Sequence, residues 1–412
     1  MKLGRIAWRN LWRRKRRTFI TCFSIGFGVM LAVTFTGAGD YAYTNMINTS
    51  ATMGMGHVTI EPLGYNQTPS LGKTIHDTDK IREQVLSIPE VKNAIIRITG
   101  QAMFASARKS IGGMFVGIDP ALEPPDQNLF INSIIQGELF PDTEGRYIII
   151  GYKMAEKLNL GLGKKLVYTT TDVNGEIVSE IARVSGIFKT GVSEVDGAMA
   201  LLPLNSVRST LNYGAQDATL VAITIEDHRH SDDVRDKIEK TVGSPVREVL
   251  SWKQTQPEVA GLVRIDRSAN YISQFLIGIL IAAGILNTVL MSVLERTREF
   301  GVMMAVGMSP SKLFKLVLVE SFWLALIGIV IGIIITTPWY AFMYNVGIDF
   351  SGAIGDDYSA GGILVDPVMK LRLYRESITV ILTMVFGLTI LSGLYPAWRA
   401  GRIPPVESLR AM

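Results

Sequence analysis

Cysteine is almost absent. A single Cys22 in 412 residues excludes an intramolecular disulfide and any zinc site built on thiolates. Histidine is nearly as scarce, with four residues and no HExxH array, which argues against a metallohydrolase. His228-Arg229-His230 sets two imidazoles beside acids, but in a polar stretch that reads as a solvated loop; Asp356-Asp357 reads the same way. Ser251 and Ser309 lack the strand-turn-helix context of a nucleophile elbow. GxxxxGK[ST] does not occur, and GLGKK (161–165) has neither its spacing nor its hydroxyl, so the chain has no loop of that kind to cradle nucleotide phosphates. These absences predict no catalytic residue, no metal site and no cofactor in this chain. Charge is thin as well. Charged residues make up 19% against 48% hydrophobic, too apolar for an ordinary soluble protein of this length.

What the chain has instead is four long uncharged or nearly uncharged runs. They fall at 18–38, 269–294, 316–340 and 377–395, each long enough to cross ~30 Å of hydrocarbon as a helix. The first is not read as a signal peptide: its core is long, no Ala-x-Ala site follows, and three more spans come later. Glu320 falls near the start of the third and is expected at the interface or against a neighbouring helix.

Lysine and arginine set the orientation. Lys2, Arg5, Arg9, Arg13, Arg14, Lys15, Arg16 and Arg17 precede the first span without an acid among them. Such a run also suits nucleic acid. Its place beside a span favours anionic headgroups, with Trp8 and Trp12 as interfacial anchors, so membrane lipids and not nucleic acid are the expected partner. Arg296, Arg298, Lys312 and Lys315 separate spans two and three, and Arg399, Arg402 and Arg410 follow span four. Segments 1–17, 295–315 and 396–412 are therefore expected in the cytoplasm, and 39–268 and 341–376 outside it. Both termini then lie on the cytoplasmic face of a plasma (inner) membrane.

Segment 39–268 is long enough for a domain with its own core. It alternates strand and helix signals. GHVTIEP (56–62) alternates as a strand, HDTDKIREQVLSIP (76–89) reads as a helix, and TTTDVNGEIVSE (169–180) as a hairpin on a two-residue Asn174-Gly175 turn. SDDVRDKIEKTV (231–242) reads as a helix with a serine cap. No breaker follows Pro257 before about Arg298, so one helix is predicted to protrude well beyond the membrane. Span one is predicted to extend likewise, giving two stalks able to carry motion.

Between spans two and three comes a charged elbow, Glu295-Arg296-Thr297-Arg298-Glu299. A short apolar helix follows through Gly301 and Ala305, then a Gly307 stop, and Ser309-Pro310 opens the next helix. A helix too short to span and too apolar to be loose lies in the interface or docks into a partner's groove; the residues alone leave re-entrant packing open. Gly328-x-x-x-Gly332, Gly387 and Gly393 permit close helix approach, within one chain or between two.

ERTREFGVMMAVGMSPSKLFKLVLVES (295–321), the entry WRNLWRRKRRTFIT (8–21) and the closing SGLYPAWRAGRIPPVESLRAM (392–412) resemble the FtsX/MacB-type ABC transporter permeases. That resemblance implies a fold of four transmembrane helices plus a mixed α/β extracytoplasmic domain, the MacB-like periplasmic core, on helical stalks. It implies a cytoplasmic ABC ATPase dimer as partner, which binds ATP and Mg in place of this chain, and a second permease, identical or related. It also implies a coupling helix carried here by Glu295, Arg296, Thr297, Arg298, Glu299, Gly301, Ala305 and Gly307.

Within the family the outer segment looks most like the lipoprotein-releasing permeases. The resemblance is carried by RYIIIGYKMAEKLNLGLGKKL (146–166), by VSGIFKTGVSEVDGAMALLPL (184–204) with Glu194, Asp196 and Gly197, and by SWKQTQPEVAGLVRIDRSANYI (251–272). Where one such permease carries a proline-bearing hook for a periplasmic carrier, this chain has only the short 169–180 hairpin. Three functions remain open. They are lipoprotein or lipid release from the outer leaflet, efflux of a periplasmic toxin, drug or peptide, and signalling to a cell-wall hydrolase.

Overall fold

A computed structural model describes residues 3–13, 15–354, 359–360, 363–364 and 367–402. Lys2, Arg14, Asp356-Asp357 and the closing motif from residue 403, including Arg410, lie outside the described residues. The chain divides into two compact units. The first comprises residues 1–41, 265–349 and 368–412; the second comprises 42–264 and 350–367.

Four helices long and apolar enough to cross a membrane lie among the described residues. The first span lies in the helix Lys15–Ser50, the second in Pro257–Glu295, the third in Pro310–Asn345 and the fourth in Arg375–Gly401. The first two contribute residues to both units. Pro257–Glu295 is unbroken for 39 residues, roughly 58 Å at 1.5 Å per residue. It ends at Glu295, three residues earlier than the sequence suggests, because Arg296 leaves the helical conformation (φ −104°, ψ 11°).

Small residues decide how closely the spans of the first unit approach. A Cβ on Gly332 would stand 2.9 Å from the Cβ of Val29 and 3.1 Å from the Cα of Gly26; one on Gly328 would stand 2.7 Å from Ile25. The Gly328-x-x-x-Gly332 face is thus filled by the first span helix of the same chain. Gly393 meets Ser321 of the third span helix in the same manner, whereas nothing lies within 4 Å of Gly387. Three polar links tie the far ends of these spans. Trp339 donates to Thr34 (2.9 Å), Gln274 donates to Thr36 (2.7 Å), and Ser377 donates to Asp40 (2.7 Å). Each satisfies a polar side chain that apolar surroundings would otherwise penalise.

The second unit is built on ten strands: β1 Val58–Pro62, β2 Val91–Ala105, β3 Ser110–Ile118, β4 Ile134–Gly137, β5 Tyr147–Gly151, β6 Lys165–Thr171, β7 Ile177–Phe188, β8 Met199–Pro203, β9 Leu220–Ile225 and β10 Arg247–Ser251. The fifteen-residue β2 serves two structures. Its first half pairs with β9, continuing the antiparallel order β10-β1-β9-β2. Its second half pairs with β3 and, at Met103–Ala105, with β6. The further pairs β3–β8, β8–β5, β5–β7 and β7–β6 then close a six-strand ring. Closure removes exposed edges along much of the ring. Helices Thr78–Leu86 and Ser231–Val242 cover the open sheet, burying Ile81, Val85, Val234, Ile238 and Val242 in one core with Ile60, Ile96 and Ile223. Within each helix these positions recur at four residues, one face of a helix.

The structure departs from the local sequence signals in two places. The 169–180 hairpin turns through Val173-Asn174-Gly175 rather than through two residues: Gly175 N–H donates to Asp172 O, Asp172 N–H donates to Glu176 O, and Gly175 takes φ +83°. That is the three-residue loop in which the left-handed glycine follows a turn. Ser231 is the first helical residue and not the cap, its hydroxyl is buried without a partner, and His230 precedes it as N-cap. The strand expected at 56–62 forms as β1, with all five residues buried.

Glu61 stands directly across from Glu248 in the β1–β10 register, 2% exposed, with one carboxylate oxygen unpartnered. Burial, reinforced by the Glu248 charge, pushes its pKa up to about 7. Folding therefore retains a proton that the unfolded chain releases above about pH 4.5, and stability is lost as pH rises from there through 7. At about 1.4 kcal/mol per pKa unit, the loss at pH 8 is on the order of 3 kcal/mol. Glu61→Gln removes it. The variant's α/β unit should melt roughly 5–10 °C above the parent at pH 8 and level with it near pH 4.5, by thermal scans of the full chain. Parallel melting curves across that range would contradict the assignment.

Candidate functional site at the charged elbow

The elbow forms because the second span helix ends where charge begins. Thr297 Oγ1 donates to Leu294 O (2.7 Å), satisfying a carbonyl freed at that end. A short helix, Thr297–Ala305, follows. It closes on a left-handed Gly307 (φ +102°), with Gly307 N–H donating to Met304 O and Met308 N–H to Met303 O. These two bonds are the Schellman pattern, and only glycine takes that φ without strain. Ser309 then holds the N-cap position of the third span helix and Pro310 its first turn; the serine side chain makes no capping bond.

Arg296 is the centre. Its side chain is 9% exposed, yet it keeps its charge neutralised on two sides. Nη1 donates to both Glu320 oxygens (3.0 and 3.1 Å) and Nε to Glu299 Oε2 (3.2 Å), while the guanidinium lies 4.9 Å from the Phe300 ring centroid. Glu320 also accepts from Asn10 Nδ2 (2.7 Å), which belongs to the N-terminal helix Leu3–Arg13. A planar donor fork suits this double carboxylate contact, as an ammonium would not. Two further pairs frame it. Arg17 grips Glu295 at 2.6 and 2.9 Å, and Arg13 stands 3.8 Å from Glu299 at the surface. Arg13, Arg17, Arg296, Glu299 and Glu320 line a polar cavity of about 230 Å³ with Thr18, Thr21, Thr288, Ser292 and Ser321.

The eight elbow residues of the sequence reading thus divide. Arg296 and Gly301 face inward, as does the neighbouring Phe300; Glu295 and Glu299 are spoken for by arginines; Thr297 closes the preceding helix. Arg298, Ala305 and Gly307 are exposed. The sequence reading passed over Val302 and Val306, which are exposed beside them, Val306 at 84%. Arg298, Val302, Ala305 and Val306 recur at three and four residues and form one outward stripe, apolar but for a single cation.

Glu194, Asp196 and Gly197 lie in the other unit, in the helix Ser193–Ala198. Asp196 is buried, and its carboxylate accepts from Thr190 N (2.8 Å), Thr190 Oγ1 (2.7 Å) and Gly191 N (3.3 Å). Its work is to hold the turn that leaves β7. Glu194 is exposed, and a Cβ on Gly197 would stand 3.2 Å from Lys157 Nζ. Sequence reading also missed Arg97–Glu123, a buried bidentate pair at 2.5 and 2.6 Å braced by Asn128. Among the described residues no cluster of three or more His, Cys, Asp or Glu could hold a metal ion.

A four-span helical unit with a charged elbow, joined in one chain to a mixed α/β unit, is the build of a membrane permease component. Residues 18–241 match the MacB-like periplasmic core domain and residues 271–405 the FtsX-like permease C-terminal model. The chain belongs to the FtsX/MacB-type family of ABC transporter permeases. It is similar to the lipoprotein-releasing system transmembrane protein LolC of Xylella fastidiosa, with 22% identity over 98% of both chains. It also resembles two longer proteins. One is the pyoverdine export ATP-binding/permease protein PvdT of Pseudomonas putida, with 24% identity over 98% of this chain and 58% of that one. The other is the macrolide export ATP-binding/permease protein MacB of Shewanella oneidensis, with 23% identity over 95% and 58%.

Removing one member of the Arg296–Glu320 pair strands a buried charge, at a cost of about 3–5 kcal/mol. Arg296→Met and Glu320→Leu should each lower the melting temperature of the detergent-solubilised chain sharply. The double variant should recover much of that loss. Equal, additive losses would show that the two side chains do not act as a pair.

Proposed function

We propose that this permease couples ATP hydrolysis by a separate cytoplasmic ABC ATPase dimer to the release of lipoprotein or lipid from the outer leaflet of the inner membrane. The exposed stripe Arg298–Val302–Ala305–Val306 carries the reading: an apolar helical face on a rigidly anchored elbow fits a partner's groove. ATP and Mg belong to that partner, since this chain has no phosphate-cradling glycine loop. The distribution of lysine and arginine supports a cytoplasmic elbow and cytoplasmic termini, with the α/β unit outside. A second permease chain, identical or related, completes the membrane pair.

In this mechanism closure of the ATPase dimer pushes the stripe. Arg296 passes the load to the third span helix through Glu320, and Arg17 passes it to the first span helix through Glu295. The long helices Lys15–Ser50 and Pro257–Glu295 transmit it to the α/β unit. Similarity to LolC over nearly the whole of both chains supports lipoprotein as cargo. Efflux of a periplasmic compound is the second reading, favoured by the similarity to PvdT and MacB. The short 169–180 hairpin leaves any periplasmic carrier to another subunit.

Co-reconstitution of the chain with its cognate ATPase in nanodiscs tests this. Val302→Asp with Val306→Asp should abolish stable complex formation and drop permease-dependent ATP hydrolysis at least tenfold, while leaving the permease's own melting curve in place. An intact complex would overturn the docking face. Adding a triacylated lipoprotein should raise hydrolysis several-fold; indifference to lipoprotein combined with stimulation by a small periplasmic compound would move the function to efflux.

A further inference from the structure

The N-terminal helix Leu3–Arg13 has two faces. Ala7 and Leu11 are buried against the spans, with Leu3 and Ile6 partly buried beside them. The opposite face carries two adjoining rows at four-residue spacing: Trp8 and Trp12, then Arg5, Arg9 and Arg13. The tryptophans join a run of ring contacts on the spans. Trp8 meets Trp323 (4.9 Å between centroids) and Trp12 meets Phe19 (6.1 Å). Tryptophan favours the hydrocarbon boundary and arginine the headgroups beyond it, and the arginine row adjoins these rings. Arg16, just beyond the helix, is exposed too.

The cations are graded by what holds them. Arg17 is bound at 2.6 Å to Glu295. Arg13 reaches Glu299 only at 3.8 Å, both partners largely exposed, a geometry worth little in water. Arg5, Arg9 and Arg16 make no ion pair among the described residues. No acid precedes Asp40 in the chain.

From this we infer that the row Arg5, Arg9 and Arg16 binds anionic phospholipid headgroups and that Arg13 exchanges between lipid phosphate and Glu299. Membrane charge thereby adjusts the elbow. The lipid site itself stands on the helix geometry and its charge complementarity to an anionic leaflet; the effect on coupling rests on the docking role proposed above. Releasing Arg13 leaves Glu299 held by Arg296 alone, so an anionic bilayer loosens the tie between the N-terminal helix and the Thr297–Ala305 helix.

The test reads the two steps separately. The full chain, without any ATPase, is placed in phosphatidylcholine bilayers containing spin-labelled phosphatidylglycerol or spin-labelled phosphatidylcholine, and the motionally restricted fraction is measured. Phosphatidylglycerol should be enriched several-fold at the protein, falling toward parity in high salt. Arg5→Gln, Arg9→Gln and Arg16→Gln together should remove the enrichment. The same three positions as lysine should keep it, and Arg399→Gln with Arg402→Gln should leave it unchanged. Enrichment that survives the glutamine variant, or that the wild type never shows, overturns the lipid site. Loss of ATPase binding in the glutamine variant with lipid selectivity intact would give the row to a protein partner instead.

For the second step, ATP hydrolysis by the complex should change at least twofold as phosphatidylglycerol replaces phosphatidylcholine, and Glu299→Gln should flatten that response. An equal response in both proteins overturns the Arg13–Glu299 exchange while leaving the lipid site standing.

Discussion

The arrangement depends on one buried guanidinium. A charge kept away from water requires compensation from several directions, and Arg296 receives it from Glu320 on the third span helix and from Glu299 one turn along its own. Glu320 in turn holds Asn10 of the N-terminal helix. The requirement to satisfy this cation therefore fixes three helices against one another, and the short Thr297–Ala305 helix has little freedom to wander. That helix is too short to persist alone in water. It is held by Phe300 and Gly301 inside, by the arginine pairs at its start and by the Gly307 stop at its end.

Rigidity at the elbow gives meaning to the stripe on its outer side. A docking helix that could rotate would dissipate a push. Here Arg296, Phe300 and Gly301 are buried and form the anchor, while Arg298, Val302, Ala305 and Val306 stay exposed, as the proposed docking contact requires. The close glycine contacts of the third span helix with Gly26 and Val29 work to the same end. They lock that helix to the first span inside one chain, so Gly328 and Gly332 are not available as a seam between two permeases.

The sequence disclosed the parts whose signals are long or local. Four uncharged runs specify spans whatever their neighbours, and Gly307-Met308-Ser309-Pro310 states a helix stop and restart within four residues. The inward and outward division of the elbow was not legible. Arg17 and Glu295 are 278 residues apart, and nine helical residues are too few for a periodic pattern to show which side faces in. The same limit hid Asp196, whose role is visible only once Thr190 and Gly191 are seen folded over it. β1 was legible as a strand, but its alternation does not show that both faces are buried: Val58 and Ile60 enter the core shared with helix Ser231–Val242, Thr59 and Glu61 on the other face are buried as well, and β9 and β10 occupy its two edges. Ring closure was hidden for another reason: β2 changes partners midway, and no local pattern records a handover.

A division of labour between buried and exposed ion pairs follows from these magnitudes. The Arg296–Glu320 pair sits where breaking it costs several kcal/mol, so it cannot be a switch at thermal energies. The exposed Arg13–Glu299 contact is worth at most about 1 kcal/mol, close to what a single lipid phosphate can supply in exchange. Arg17–Glu295, bidentate and partly shielded, lies between them. The proposed coupling needs its first kind of contact to bear force and its last kind to respond to surroundings. The elbow has both within one turn of helix: Arg13–Glu299 is exposed, whereas Arg296–Glu320 is buried against the third span helix.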